Sequence, residues 1–367
     1  MLRIIYFSRD YTTHDHRFLT ALARSEYQVY FLQLERRGHA LEDRPIPEGI
    51  ERIHWAGGQK PATLLTGSCL LSDLRRVLRQ VQPDLVHAGP LQRSAFLVAL
   101  AGYRPLVSMS WGYDLIHDAH RNIFWRWATR YTLRRSTLMV GDCEPIRKLA
   151  VAYGMPSERI ITFPWGVDLQ HFSPASTANE AQPFTLLSTR GWEPIYGVDV
   201  IAKAFVQAAQ RQPGFRLIML GNGSLAGMLR QTFQKGGVED RVLFPGHVTQ
   251  ADLPRYFRLA DLYVSASHSD GTSISLLEAM ACGKPALVSD IPGNLEWVTP
   301  GKNGWWFTDG DVGSLAEGIL NAVEQREQLP VMGITARRIA EQRADWEKNF
   351  PRLLEGYKFA LNQAHNS

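Results

Sequence analysis

Apolar and polar positions along the first half of the chain fall into two alternating patterns, short β-rich runs and longer amphipathic stretches. The short runs are LRIIYF (2–7), YQVYFLQL (27–34), ERIHW (51–55), LVHAG (85–89), PLVSMSW (105–111), TLMVGD (137–142) and IITFPW (160–165). Each predicts a strand. Helical patterns fall between them, notably SDLRRVLRQV (72–81) and HDAHRNIFWRWATRYTLRR (117–135). SPASTANEAQP (173–183) is polar and aperiodic and reads as a linker. A second alternation follows in FTLLSTR (184–190), VDVIAKAFVQAAQR (198–211), FRLIMLG (215–221), RVLFPG (241–246), LYVSAS (262–267), PALVSD (285–290) and GWWFT (304–308). Strand–helix alternation of this kind predicts an α/β protein of two doubly wound, Rossmann-like domains facing a cleft lined by strand C-termini. The last pattern, WEKNFPRLLEGYKFAL (346–361), is amphipathic, and no internal sequence repeat stands out.

Length agrees with this division, because 367 residues exceed a usual single core and favour two domains of about 150–200 residues. The expected boundaries are 1–170, 171–345 and a terminal helix at 346–367. Apolar content of 45% and charged content of 21% are those of an ordinary globular protein. No run approaches the ~18 apolar residues of a membrane span, and MLRIIYFSRD is too short and mixed for a signal peptide. Cys69, Cys143 and Cys282 are few, odd in number and widely spaced, which suggests a reducing cytoplasm without disulfides or a metal cluster.

Charge adds one asymmetry. Residues 1–170 hold 22 Lys and Arg against 16 Asp and Glu, whereas residues 171–367 hold 18 against 20. The excess is too small for a nucleic-acid partner. It suits an amino-terminal half that faces an anionic acceptor or a lipid surface.

The most informative stretch is DLYVSASHSDGTSISLLEAMACGKPALVSDIPGNLEW (261–297). It reads as strand, tight turn, short helix, strand and turn. Asp270 sits in the first turn, and Glu278 follows eight positions later on the helix. The helix amides near Ser273, Ile274 and Ser275 should point back across the turn at Gly271 and Thr272, and such a helix start attracts phosphate. Two carboxylates flanking an anion site suit a nucleotide-linked sugar.

These residues resemble the signature of the retaining glycosyltransferases of family 4, whose fold is called GT-B. That family carries a Glu-x7-Glu pair, then E-A-M-A-x-G-x-P, a strand and a turn with another Glu. The chain matches with Asp270 in place of the first Glu, then Glu278, Ala279, Met280, Ala281, Gly283, Pro285 and Glu296. FPWGVDLQHFSP (163–174) is similar to the family's interdomain G-V-D-x-x-x-F-x-P. LGNGS (220–224) and RVLFPGHV (241–248) are similar to its middle strands, which brings in Asn222, Gly223, His247 and Val248. The resemblance is dense over 155–325 and thin before it.

The resemblance implies a nucleoside diphosphate sugar as donor substrate with no other cofactor, and the lack of a His/Cys cluster of ligand spacing in the sequence sets the expectation that no metal is needed. The resemblance makes Glu278 the ribose ligand, where the bland alternative is a solvated helical Glu. It makes Asp270 the holder of the transferred sugar's hydroxyls, where Asp-Gly is otherwise an ordinary turn. It places Arg190 on the donor diphosphate, with Asn294 and Glu296 as further sugar contacts. The terminal helix is implied to cross back onto the first domain.

The chain departs from the family at several places. Tyr196, in GWEPIYG, stands where the family has a Lys on the diphosphate. A neutral phenol cannot supply that charge, so another cation is needed or the phosphate leaves with less help. SRDYTTHDHRFL (8–19) replaces a glycine-rich loop. It reads either as a loop whose Arg9, His14, His16 and Arg17 deliver that cation from the other side of the cleft, or as a helix start capped by Thr13 or Asp15. Arg17 is the chosen replacement. In SWGYD (110–114), Trp111 takes a His position, with Asp114 and His117 nearby as acceptor or sugar contacts.

Two further patterns compete with bland readings. GNGS (221–224) resembles a dinucleotide turn but lacks the third Gly. NIFWRWATRYTLRR (122–135) interleaves Trp125, Trp127 and Tyr131 with arginines. It is either a core-facing helix with a solvated basic side or a helix lying on a membrane surface. The expectation is a cytoplasmic retaining glycosyltransferase, peripheral at the inner membrane face if that helix binds lipid. It acts on a glycan, lipid-linked or small-molecule acceptor hydroxyl without a metal. The alternatives are a nucleotide-sugar-binding protein that has lost catalysis and a nucleotide-sugar epimerase of similar fold.

Overall fold

A computed structural model describes residues 1–36, 42, 44–59, 62–63, 65–175 and 183–365. Residues 176–182 of the expected linker lie outside the described residues. The chain divides into two compact units: Met1–Phe163 together with the chain from Phe350 onward, and Pro164–Asn349.

The first unit holds seven strands: β1 (Arg3–Ser8), β2 (Gln28–Gln33), β3 (Ile50–Arg52), β4 (Leu85–Gly89), β5 (Leu106–Met109), β6 (Leu138–Gly141) and β7 (Ile160–Thr162). They form one sheet in the order β3-β2-β1-β4-β5-β6-β7, and every neighbouring pair is parallel. Such strands are covered on both faces, which is why LVHAG is buried at every position. The chain runs outward from β1 to β3 and returns to β4 on the other side, so strand order reverses between β1 and β4.

The second unit holds β8 (Phe184–Ser188), β9 (Phe215–Leu220), β10 (Val242–Gly246), β11 (Leu262–Ser265), β12 (Ala286–Ser289) and β13 (Gly304–Phe307). Its parallel sheet runs β10-β9-β8-β11-β12-β13, and strand order reverses between β8 and β11. Phe205 packs on Phe215 and Phe233 with ring centroids 5.4 and 6.0 Å apart, fastening helix Val198–Arg211 to one face. Open parallel sheets bind ligands at such reversal points, beyond the strand C-termini.

The observed division falls after Phe163, just beyond the end of β7, and Val167 already pairs within the second unit. Its N–H bonds Ala344 O at 2.8 Å, and Trp346 N returns to Val167 O at 3.2 Å. The terminal amphipathic pattern is two helices, Trp346–Asn349 and Pro351–His365, since Pro351 has no N–H to continue the first. The second of these packs in the first unit, where Tyr357 is buried and its hydroxyl meets His87 Nδ1 at 2.6 Å. The single helix expected over 117–135 is also broken. A 3-10 turn spans Asp118–His120, and helix Ile123–Arg135 starts afresh because the Asn122 side chain accepts from Trp125 N at 3.0 Å.

Candidate active site

Strands β8 and β11 are hydrogen-bonded neighbours, with Leu187 opposite Tyr263. The segments leaving their C-terminal ends therefore emerge side by side at the reversal point. Arg190 leaves β8, and Asp270 sits in the turn after β11. They meet: Arg190 Nη2 lies 2.8 Å from Asp270 Oδ2, with the side chains 14% and 21% exposed. Arg190 Nη1 donates at 3.3 Å to both Ser273 Oγ and Ser275 Oγ. Tyr263, buried in β11, adds its hydroxyl 2.8 Å from Ser275 Oγ. Burial pulls the Arg190 pKa down, and Asp270, Tyr263 and Tyr196 beside it lift it, so the net shift is upward. The guanidinium is a fixed positive charge whose buried Nε–H bonds nothing among the described residues.

Tyr196 is the floor of this cluster. Its ring centre lies 4.2 Å below the Arg190 guanidinium carbon, a cation–π contact. Its turn, Pro194–Tyr196, ends at Gly197 with φ +58°, where a Cβ would strike Ala266 O, so glycine alone lets this turn close on the end of β11. Glu193 clips the same loop to the next one. Its carboxylate accepts from Ser224 N at 2.9 Å and Ser224 Oγ at 2.5 Å, while Trp192 N bonds Asn222 O at 3.0 Å. Asn222 and Gly223 are thereby held beside the Arg190 loop. His247 and Val248 follow β10, His247 exposed and Val248 half-buried.

Helix Ile274–Ala281 starts at Ser273, whose hydroxyl makes no capping bond and takes Arg190 instead. The first turn thus faces the Gly271–Thr272 turn without a side-chain cap, an arrangement that favours an anion. Glu278 lies on this helix and is 3% exposed. The structure removes it from the solvated-surface reading.

Asn294 is held inside the unit. Its Nδ2 donates to Ser289 O at 2.9 Å, which braces the short helix Pro292–Leu295. Gly293 beside it touches the backbone of Asp270 and Gly271, where a Cβ would strike Gly271 O. That contact, more than Asn294 itself, positions the Asp270 turn.

In the first unit, SRDYTTHDHRFL forms a helix start, Thr13–Ala23. Its cap is Thr12, not the Thr13 or Asp15 expected from the sequence, and Asp15 instead closes a capping box. Arg17 lies half-buried on this helix, and Arg9 pairs with Glu35. Trp111 packs between His14 and Phe18, with ring centres 5.6 and 6.3 Å away. His117 stacks on Tyr113 at 4.8 Å.

Asp114 is placed where it has little surface for a substrate. It is 2% exposed, and its carboxylate accepts from Ser110 Oγ (2.6 Å), Leu91 N (2.9 Å) and Leu115 N (3.0 Å). It organises the chain after β4 and β5. Burial raises its pKa to about 6 despite those hydrogen bonds.

A folded-state pKa above the unfolded one means Asp114 stabilises most when protonated, and this stability is lost as pH rises from about 4 to about 6. Relative to Asp114→Asn, the wild type should therefore lose up to ~3 kcal/mol across that window. Urea unfolding of both proteins between pH 4 and pH 7 checks this. A stability difference that stays flat with pH would contradict it.

Sequence reasoning missed Tyr263 and Glu193. Tyr263 alternates like any core residue of LYVSAS, and Glu193 carries no motif. Only the strand register and the loop pairing expose them.

The chain matches two family models, one described as "Glycosyltransferase Family 4" over residues 12–171 and one as "Glycosyl transferases group 1" over residues 170–339. It is 27% identical over 377 residues to the D-inositol 3-phosphate glycosyltransferase of Paenarthrobacter aurescens, covering 93% of this chain and 91% of that one. It is 26% identical over 246 residues to the enzyme of the same name from Nocardia farcinica, covering 63% of this chain and only 54% of that relative's length. The solved structure of Anabaena HepE in complex with UDP-glucose has the same fold, with a TM-score of 0.77 at 20% identity over 98% of this chain and 100% of that one. The two matches overlap at residues 170–171 and together cover residues 12–339 without a gap, and the chain belongs to the family-4 glycosyltransferases of GT-B fold.

Proposed function

We propose that the chain moves a sugar from a nucleoside diphosphate sugar to the hydroxyl of a glycan, lipid-linked or small-molecule acceptor, with retention at the anomeric carbon and without a metal. The observation that carries this reading is the buried Arg190 cluster. A guanidinium fixed by Asp270, Ser273 and Ser275, floored by Tyr196 and holding an Nε–H unpaired among the described residues, stands beside an uncapped helix start. As the bond from the anomeric carbon to the diphosphate oxygen breaks, negative charge builds on the phosphates. Arg190 and the helix amides are already oriented to receive it. Glu278, buried on the same helix, would accept from the ribose hydroxyls, and Asp270 would bond hydroxyls of the transferred sugar. That fixed charge supports the metal-independent reading. Retention rests on the family resemblance.

The test is a panel of nucleoside diphosphate sugars incubated in excess chelator, with product configuration read by proton NMR coupling constants. Transfer with retention in chelator is expected. Transfer that requires added Mg²⁺ or Mn²⁺ would overturn metal independence, and an inverted product would overturn the stereochemistry.

Arg17 is the candidate for a second cation on the leaving group. Arg17→Ala should lower kcat far more than it lowers nucleoside diphosphate affinity, and Tyr196→Lys should partly restore it. Normal turnover of Arg17→Ala would leave the whole charge to Arg190 and the helix amides.

A further inference from the structure

Helix Ile123–Arg135 in the first unit is buried along one face. Ala128, Thr129, Thr132 and Leu133 are buried. Thr129 Oγ1 accepts from Gln92 Nε2 at 2.8 Å, and Thr132 Oγ1 donates to Leu91 O at 3.1 Å. The opposite face is apolar as well as basic. Ile123 is 86% exposed, Trp127 48% and Phe124 47%. Ile123, Trp127, Arg130 and Arg134 recur at i, i+4, i+7 and i+11, which is a single stripe of a helix. Arg126 flanks the stripe on one side, Phe124 and Tyr131 on the other.

The rings are not scattered. Trp127 stacks on Tyr131 with centroids 5.4 Å apart and meets the edge of Phe96 at 5.5 Å, and Phe124 lies 5.9 Å from Trp127. This is an exposed aromatic ledge. The helix carries four arginines and no acid, and Arg126, Arg130 and Arg134 enter no ion pair among the described residues.

A soluble face would interleave acids with arginines and keep Ile123 and Trp127 out of water. A face between protein copies would pair its arginines. Apolar and aromatic groups in the middle of an unpaired basic surface fit a different solvent, in which rings sit at headgroup depth and arginines meet phosphate. We propose that the Ile123–Trp127–Arg130–Arg134 face seats the first unit on an anionic phospholipid surface. The helix lies in the plane of that surface, since no helix among the described residues is long and apolar enough to cross a membrane.

The test is cosedimentation of the full chain, without donor, with vesicles of phosphatidylcholine alone and of equal parts phosphatidylcholine and phosphatidylglycerol. Leaving the donor out makes the outcome independent of the catalytic reading. The wild type is expected to bind the anionic vesicles and to be released by salt. Arg126→Gln, Arg130→Gln and Arg134→Gln together should reduce the partition coefficient on the order of a hundredfold, because each basic residue near such a surface is worth roughly a fivefold factor. Ile123→Ser with Trp127→Ser should weaken binding to the same vesicles while leaving turnover on a soluble acceptor unchanged. Thermal melts confirm that these surface variants remain folded. Equal partition of wild type and both variants, or binding to neither vesicle, would overturn the proposal. So would light scattering that shows the wild type as a dimer and the Ile123→Ser, Trp127→Ser variant as a monomer.

Discussion

Arg190→Ala should lower turnover by at least ~10²–10³-fold, the loss that follows removal of one preorganised donor to developing negative charge. Arg190 is held by three side chains and a ring face before any substrate arrives, so its charge needs no reorganisation at the bond-breaking step. Nucleoside diphosphate affinity should fall too, but less, because the charge on the leaving phosphates grows in the transition state. Arg190→Lys keeps the charge and loses both the fork that reaches Ser273 and Asp270 together and the flat face on Tyr196, so it should recover only part of the loss. Removing the guanidinium also leaves Asp270 without its partner. Deleting one member of a fully buried pair costs about 3–5 kcal/mol. Asp270 retains 21% exposure, so a smaller loss is expected and the variant should fold. Steady-state kcat with calorimetric nucleotide affinity separates the two effects. A variant that turns over within a few-fold of the wild type would remove Arg190 from the chemistry.

Glu278→Gln should weaken nucleoside diphosphate binding by roughly ten- to a hundredfold, the range for losing a charged acceptor in hydrogen bonds worth about 1.5–3 kcal/mol. The substitution keeps shape and burial, so the melting temperature should move by only a few degrees. The sugar portion should matter little: donor and free nucleoside diphosphate should lose affinity in the same proportion if the carboxylate meets the ribose. Calorimetry with both ligands checks this. Unchanged affinity for both would return Glu278 to a packing role, and a loss confined to the donor would move it to the sugar.

The strands were legible because each is a short apolar run bounded by turn residues, and both faces of these parallel sheets are covered. Legibility ended where one residue interrupts a periodic pattern. The capping amide of Asn122 and the missing N–H of Pro351 each divided a stretch whose hydrophobic pattern read as continuous. In the site, residue type marked Arg190 and Asp270, but not that they pair. Pairing depends on β8 lying beside β11, a register that sequence spacing does not carry. Tyr196 shows this most sharply. As a sequence departure it is a missing charge, whereas in three dimensions its ring is the surface against which Arg190 is held. Asp114 and Asn294, expected as substrate contacts, are both buried and carry hydrogen bonds that brace loops, a role the sequence did not suggest.

On the proposed reading, this chain cleaves a nucleotide sugar at the diphosphate using fixed protein charge. Phosphorus-31 NMR of the wild type with donor and acceptor, in excess chelator, addresses it directly. Free nucleoside diphosphate should accumulate in step with glycosylated acceptor, and both should form at least ~10²-fold more slowly with Arg190→Ala at comparable occupancy. Donor that stays intact on a wild type shown to bind it, or cleavage that begins only when a divalent metal is added, would contradict the claim.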